Sequence, residues 1–148
     1  MSHEINEMVN ILLYAGAPEA DKKLTLKLLA MLDQLHVKNI SITAGFVDDD
    51  AAIGALESLK KSTGHIDLVA IKSGSKKTRF RVAFHAEKLG IKTVVWSAHT
   101  HFVHSCHNLK ASFVRVRYKD MEKDLDLVAE AIKHEINKLR KPKPVLPK

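Results

Sequence analysis

Short apolar runs alternate with longer amphipathic segments along this chain. Five runs are apolar or alternate with period two and predict strands at 9–16, 39–46, 66–73, 92–98 and 112–118. Between them, apolar residues recur at helical spacing and predict helices over 18–35, 48–61, 78–90 and 120–140, with a further short helix in 100–110. This alternation predicts one α/β domain over 1–140, a three-layer sandwich with a mainly parallel sheet and helices on both faces.

In parallel sheets, ligands bind outside the carboxyl ends of the strands. At one such end, the turn Ser73-Gly74-Ser75 closes an apolar strand, and a basic run follows it without an acid. A helix N-terminus favours phosphate through its free N–H groups and its dipole. The stretch therefore predicts phosphate or nucleic-acid binding by Lys72, Ser73, Ser75, Lys76, Lys77, Arg79 and Arg81.

The charge of the whole chain agrees with an anionic partner. The 148 residues have a formal net charge of +7, which favours polyanions such as RNA. Arg115 and Arg117, two apart on the fifth predicted strand, extend the basic patch. The tail "KPKPVLPK", residues 141–148, is expected to be disordered and to add salt-dependent affinity.

Cellular location is predicted from cysteine usage and hydropathy. Cys106 is the one cysteine, so no internal disulfide can form, and a reducing cytoplasmic setting is expected. No apolar run approaches the length of a membrane span, and the start "MSHEINEM" is too polar for a secretory signal. We therefore expect no membrane partner.

About fifty residues, Phe46 to Trp96, have the motif order of a known family. They read "VDDDAAIGALES", then "IDLVAIKSGSKKTRF", then "LGIKTVVW". This order resembles the NYN family of PIN-like ribonuclease domains, which carry "VD" before a helix, a strand ending "SGDSDF", and a "G-k-x-V-x-V" strand. The match needs about two extra residues before the third strand. The resemblance implies a PIN-like fold, and a Rossmann-like sheet is the alternative.

The departures from the family pattern concern its catalytic acids. PIN-like nucleases cut RNA with carboxylates that hold Mg²⁺ or Mn²⁺. At the matching positions, this chain has Ala15 or Gly16, Asp48, Gly54, and Ser75 and Arg79. One carboxylate cannot hold a catalytic magnesium by itself. The resemblance therefore implies a non-catalytic relative, a pseudoenzyme that binds RNA and needs no cofactor.

Three alternatives stay open. A metal-dependent nuclease would use Asp48, Asp49 or Asp50 with Mg²⁺ or Mn²⁺ in a non-standard arrangement. A binder of a small phosphorylated ligand would use Ser73–Ser75, although "AGAPEA" after the first strand is a poor substitute for a G-x-G-x-x-G loop. A protein-interaction module or homodimer would use the long last helix.

Histidines cluster in "HTHFVHSCH", residues 99–107. On a helix, His101, His104 and His107 would share one face, and imidazole and thiolate groups are good zinc ligands. The sequence offers no obvious second Cys/His pair, so we favour neutral histidines that face solvent or RNA over a metal site. A nucleophile at Cys106 would lack an oxyanion hole and an orienting acid.

Overall fold

The computed structural model describes residues 8–16, 18–61, 65–73, 79–98, 106, 108–117 and 121–140. Strands and helices alternate in them as β1 (Val9–Tyr14), α1 (Pro18–Gln34), β2 (Ile40–Thr43), α2 (Asp49–Lys61), β3 (Leu68–Lys72), α3 (Phe80–Lys88), β4 (Lys92–Ser97), β5 (Ser112–Arg115) and α4 (Met121–Arg140). Each of these elements lies within the segment that the hydrophobic pattern predicts. Most of the short helix predicted in 100–110, and the whole tail 141–148, lie outside the described residues.

The five strands form one sheet in the order β2-β1-β3-β4-β5, and every pairing is parallel. The predicted three-layer α/β fold with a parallel sheet is therefore confirmed. The chain first winds outward from β1 to β2, then returns to place β3 on the other side of β1. This is the flavodoxin-like doubly wound order, in which the winding direction switches between β1 and β3.

Two hydrophobic layers cover the sheet because side chains alternate between its faces. On one face, which we call the α1/α4 face, the core includes Leu13, Leu28, Trp96 and Ile132. On the other, the α2/α3 face, it includes Leu12, Leu56, Val69 and Val82. The three central strands are buried on both faces, which explains why their sequences are almost continuously apolar.

The helices run opposite to the strands, so all four begin at the edge of the sheet where the strands end. We call this edge the carboxyl edge and the opposite one the amino edge. None of the helices that the structure describes is long and apolar enough to cross a membrane. Cys106 is buried, and burial raises the pKa of its thiol, which disfavours the reactive thiolate.

Candidate functional site

The switch between β1 and β3 creates a crevice at the carboxyl edge. Its walls come from the residues that end these two strands, Tyr14–Gly16 and Lys72–Ser73, and from Arg79, which directly precedes α3. In this sheet order, ligands bind outside the strands at the switch point. The crevice therefore includes part of the basic stretch that the sequence singles out.

Arg79 folds into the crevice and joins its two walls. Its Nη1 donates to the carbonyl oxygen of Lys72 at 2.7 Å, and its Cζ lies 5.5 Å from the centre of the Tyr14 ring. A Cβ atom at Gly16 would come within 1.9 Å of Nη2 of Arg79, so any other residue there would make this side chain move. The Arg79 backbone itself is left-handed, with φ of 60°. The guanidinium is thus fixed at the switch point.

Tyr14 ties this arrangement to α2. Its hydroxyl donates to Oδ1 of Asp49 at 2.7 Å, and its ring meets Phe46 edge-on at a centroid distance of 6.5 Å. Burial, followed by the hydrogen bond and negative charge of Asp49, raises the pKa of Tyr14 well above its ordinary range. Tyr14 therefore stays a neutral donor, and its ring is a fixed platform under Arg79.

Lys72 is half-buried and lies beside two charged residues. Burial lowers its pKa, and the positive charge of Arg79 lowers it further, while the carboxylate of Asp21 acts in the opposite direction. Asp21 is fully buried in the first turn of α1, and its Oδ2 accepts a hydrogen bond from the backbone N–H of Gly45 at 3.3 Å. An anion bound here would favour the charged form of Lys72.

Ser73 places a buried hydroxyl at the end of β3. Its backbone N–H donates to the carbonyl oxygen of Trp96 at 2.9 Å, and the residue is only 3% exposed. Its Oγ has no hydrogen-bond partner among the residues that the structure describes. Because buried polar groups are almost always hydrogen-bonded, this hydroxyl is expected to bond to a group outside the described residues.

The three acids that open α2 all contact protein groups. Asp48 accepts a hydrogen bond from the backbone N–H of Ala51 at 2.8 Å and so caps the helix. Asp49 binds Tyr14, and Asp50 pairs with Arg81 at 2.9 Å, which raises the pKa of Arg81. In the described ranges, no three His, Cys, Asp or Glu side chains are grouped to hold a metal ion.

The predicted phosphate-binding and metal-binding residues divide into four groups. Lys72, Ser73 and Arg79 meet at the crevice, whereas Arg81 lies outward on α3 against Asp50. Arg115 and Arg117 line a separate cleft of about 640 Å³ beside α4. The remaining candidates, Ser75, Lys76, Lys77, His101, His104 and His107, lie outside the described residues.

The end of α4, which directly precedes the basic tail 141–148 in sequence, lies at the opposite edge of the sheet. Nη2 of Arg140, the last residue of α4, donates to the carbonyl oxygens of Lys38 and Asn39 at 2.7 and 3.3 Å. These carbonyls immediately precede β2 at the amino edge. The described part of the chain therefore ends at the amino edge, on the side away from the crevice.

Two crevice residues escaped sequence reasoning. Asp21 lies in the first turn of a helix, where acidic residues are common, so its sequence position does not indicate a site. Tyr14 reads as a core residue at a strand end. Each lies next to the carboxyl end of β1, which borders the switch point, but the strand order that makes this position important is visible only in the structure.

Comparisons with known proteins concern the fold. No protein-family model matches the chain, and no curated protein matches its sequence at a significant level. The chain is similar to the NMR structure of a de novo designed Rossmann 2x3 fold protein, with a TM-score of 0.61 and 13% identity over 93% of this chain and 97% of that one. A flavodoxin-like domain of a Synechococcus protein matches with a TM-score of 0.41 and 11% identity over 84% of this chain and 99% of that domain. At such identity, the likeness to the designed protein shows a Rossmann-like fold alone.

Proposed function

We propose that this chain binds phosphate groups at the β1/β3 crevice and that the natural ligand is RNA or another nucleic acid, held without cleavage. The observation that carries the proposal is the buried Ser73 hydroxyl, which has no partner within the described part of the chain. It lies at the topological switch point, next to Lys72 and Arg79. Phosphate oxygens accept hydrogen bonds from all three of these groups.

Electrostatics supports an anion at this point. Burial lowers the pKa of Lys72, and the positive charge of Arg79 lowers it further, so the two cations repel each other. A phosphate between them would relieve that repulsion. The first N–H groups of α3, which begins at Phe80, open on the same edge and favour negative charge.

Nucleic acid is the preferred source of the phosphate for three reasons. The chain has a net charge of +7, Lys76 and Lys77 follow Ser73 in sequence, and the tail is basic. The NYN/PIN-like motif order supports RNA, and the altered acid positions support binding without cleavage. The engagement of Asp48, Asp49 and Asp50 with protein groups is consistent with that choice.

The first test is fluorescence anisotropy with labelled single-stranded and hairpin RNA, at several salt concentrations and with EDTA present. We expect micromolar or tighter binding that weakens steeply with salt. Ser73→Ala and Lys72→Gln should each weaken it several-fold, and Lys88→Gln, which removes an exposed lysine near the amino edge, should not. Equal affinities for all four proteins, or no binding at low salt, would contradict the proposal.

Two alternatives are tested with the same samples. The pairing of Arg81 with Asp50 removes one exposed cation from the edge and favours a small phosphorylated ligand over a long strand. In that case, a mononucleotide would displace RNA fully and raise the melting temperature by itself. Addition of Mn²⁺ tests the nuclease alternative, which RNA cleavage that disappears in Asp48→Asn would support.

Self-association through the last helix stays a prediction. Much of the apolar stripe of α4, including Val128, Ile132 and Ile136, packs against the sheet and is not available to a partner. Leu127 and Leu139 are half exposed. Light scattering at several protein concentrations measures whether a dimer forms.

A further inference from the structure

A second concave site lies at the carboxyl edge, between the end of β5 and the first turns of α4. This cleft has a volume of about 640 Å³ and is lined by Ala98, Arg115, Val116, Arg117, Asp124 and Leu127. Its size falls in the range of small-molecule sites, which is roughly 300–1,000 Å³. Val116 and Ala98 pack with the core of the α1/α4 face, whereas Arg115 and Arg117 alternate with Val116, so the cleft extends around the end of β5.

The lining of the cleft contains two arginines beside apolar side chains. Both arginines are exposed, and no ion pair or hydrogen bond of their guanidinium groups occurs among the residues that the structure describes. Among the described residues that line the cleft, the acid is Asp124, which accepts a hydrogen bond from the backbone N–H of Arg117. Leu127 is 52% exposed and supplies apolar surface to the cleft.

These features suit a ligand that joins an anionic group to a ring with an exposed face. Arginine pairs with phosphate in a bidentate geometry, and a nucleobase can lie against an exposed aliphatic side chain. A nucleotide has both parts. A free inorganic anion would leave the apolar wall uncovered.

The cleft and the crevice are related by the register of the sheet. Lys72 on β3 is level with Trp96 on β4, and Trp96 is level with Val114 on β5. Strands are about 4.8 Å apart, so the end of β5 lies about 10 Å from the end of β3 along this edge. One phosphate cannot contact both places, whereas phosphates along one nucleic-acid strand can.

We propose that the cleft between β5 and α4 is the subsite for a second nucleotide of the strand whose phosphate occupies the β1/β3 crevice. Arg115 and Arg117 bind the phosphate of this nucleotide, and Leu127 contacts its base. The inference rests on the proposed function and sharpens it, because it makes the ligand an oligonucleotide that spans both sites. Linked occupation of two sites increases affinity well beyond either site alone.

The test compares a labelled uridine octamer with uridine monophosphate as ligands of the full chain. The wild type should bind the octamer at least about tenfold more tightly. In the double variant Arg115→Gln/Arg117→Gln, octamer affinity should fall roughly tenfold, and the slope of log affinity against log salt should flatten by about 0.7 per lost phosphate contact. Affinity for the monophosphate should change less than about twofold, because the crevice is intact.

The matched control removes two charges elsewhere. Lys88→Gln/Lys110→Gln deletes two exposed lysines near the amino edge and should change octamer affinity less than about threefold. Leu127→Ala tests the base contact separately, since it should weaken an ordinary octamer more than one with abasic positions. Thermal melts of each variant check that it is folded.

The possible outcomes distinguish failure of the second subsite from failure of phosphate binding at the crevice. If the double variant loses no more octamer affinity than the lysine control, or loses monophosphate affinity equally, the second subsite is wrong. Octamer binding that still depends on Ser73 would then leave the crevice proposal standing. If the wild type binds neither ligand, the proposed function and this inference are both overturned.

Discussion

Lysine and arginine side chains lie at both the carboxyl and the amino edge of the sheet, but their surroundings differ. At the amino edge, cations hydrogen-bond to backbone carbonyl groups. Arg140 donates to the carbonyl oxygen of Lys38, and Nζ of Lys92 donates to that of Lys110 at 2.7 Å. These carbonyls lie on the edge where the helices end, where positive charge is favourable. The amino-edge cations therefore complete the fold.

At the carboxyl edge, the charged forms of the cations are disfavoured by their surroundings. Lys72 is partly desolvated beside Arg79, and its pKa is lowered as a result. The helices begin at this edge, so their dipoles also disfavour cations there. An arrangement that is unfavourable without an anion and favourable with one is typical of a binding site. Net charge alone does not distinguish the two edges.

Glycine substitutions at the two edges should give the largest effects. Gly16 and Gly90 both have left-handed φ values, of 105° and 75°. Alanine at either position costs on the order of 1–3 kcal/mol of backbone strain. Gly16→Ala also displaces Arg79, whereas a Cβ at Gly90 meets nothing within 4 Å. Loss of the Arg79 contacts should add about 1–2 kcal/mol in urea unfolding and weaken RNA binding. Equal losses in both variants would show that Arg79 does not depend on Gly16.

Serine substitutions should change stability in opposite directions. Ser112, at the start of β5, donates to Oε2 of the buried Glu135 at 3.1 Å, so Ser112→Ala should cost about 1–2 kcal/mol. Ser73→Ala removes a buried hydroxyl with no described partner and should stabilise by about 1 kcal/mol while it weakens phosphate binding. Thermal and urea unfolding measure both. A destabilised Ser73→Ala would mean that the hydroxyl is already satisfied in the free protein.

Proton uptake should accompany phosphate binding at alkaline pH. The pKa of Lys72 is lowered in the free fold, so part of its protons leave below the ordinary lysine range, and a bound anion raises that pKa again. Binding just below the ordinary lysine pKa should then take up a fraction of a proton, and affinity should fall as the pH rises. Calorimetry in buffers of different ionisation enthalpy measures this uptake.

The same lowered pKa has a consequence for stability. Between the folded and unfolded pKa values of Lys72, the unfolded chain binds more protons, so this group makes the fold more stable as the pH rises. Lys72→Met should abolish both effects, and Lys92→Met, at the amino edge, should leave the proton uptake unchanged. Uptake that persists in Lys72→Met would assign it to another group.

Exposed ion pairs should give the smallest effects. Arg81 pairs with Asp50 at the carboxyl edge, and Lys38 with Asp33 at the amino edge. Breaking either pair should hardly change the melting temperature, because exposed pairs contribute little. Asp50→Asn, however, frees Arg81 and should raise RNA affinity roughly twofold at low salt. Asp33→Asn should not, and an equal rise in both variants would indicate a general charge effect.

The order of strands and helices could be predicted from the sequence because burial determines the spacing of apolar residues along the chain. The central strand at 9–16 is apolar throughout since both of its faces are covered, and the helix over 120–140 repeats its apolar residues at helical spacing. The order of strands in the sheet does not determine that spacing. Nothing in residues 9–14 indicates that β3, and not β2 alone, lies beside them. The switch point therefore had to come from the structure.

The candidate site was predicted in part. Lys72 and Ser73 could be placed because they end an apolar strand. The inward path of Arg79 could not, since it depends on a missing Cβ at Gly16, more than sixty positions away in sequence. The pairing of Arg81 with Asp50 also joins two helices that periodicity treats separately. Contacts between distant segments decide which cations are available, and composition does not contain them.

The pairing of β1 with β3 also determines the stage of folding at which the crevice forms. The backbone N–H of Asn10 donates to Oδ2 of Asp67, which is 57 positions later, and β1 and β3 come together only after α1, β2 and α2 are looped out between them. Such non-local closure is slow compared with helix formation. The two walls of the crevice are thus absent from any intermediate that lacks this pairing. A ligand of the crevice binds the completed fold alone and slows its unfolding.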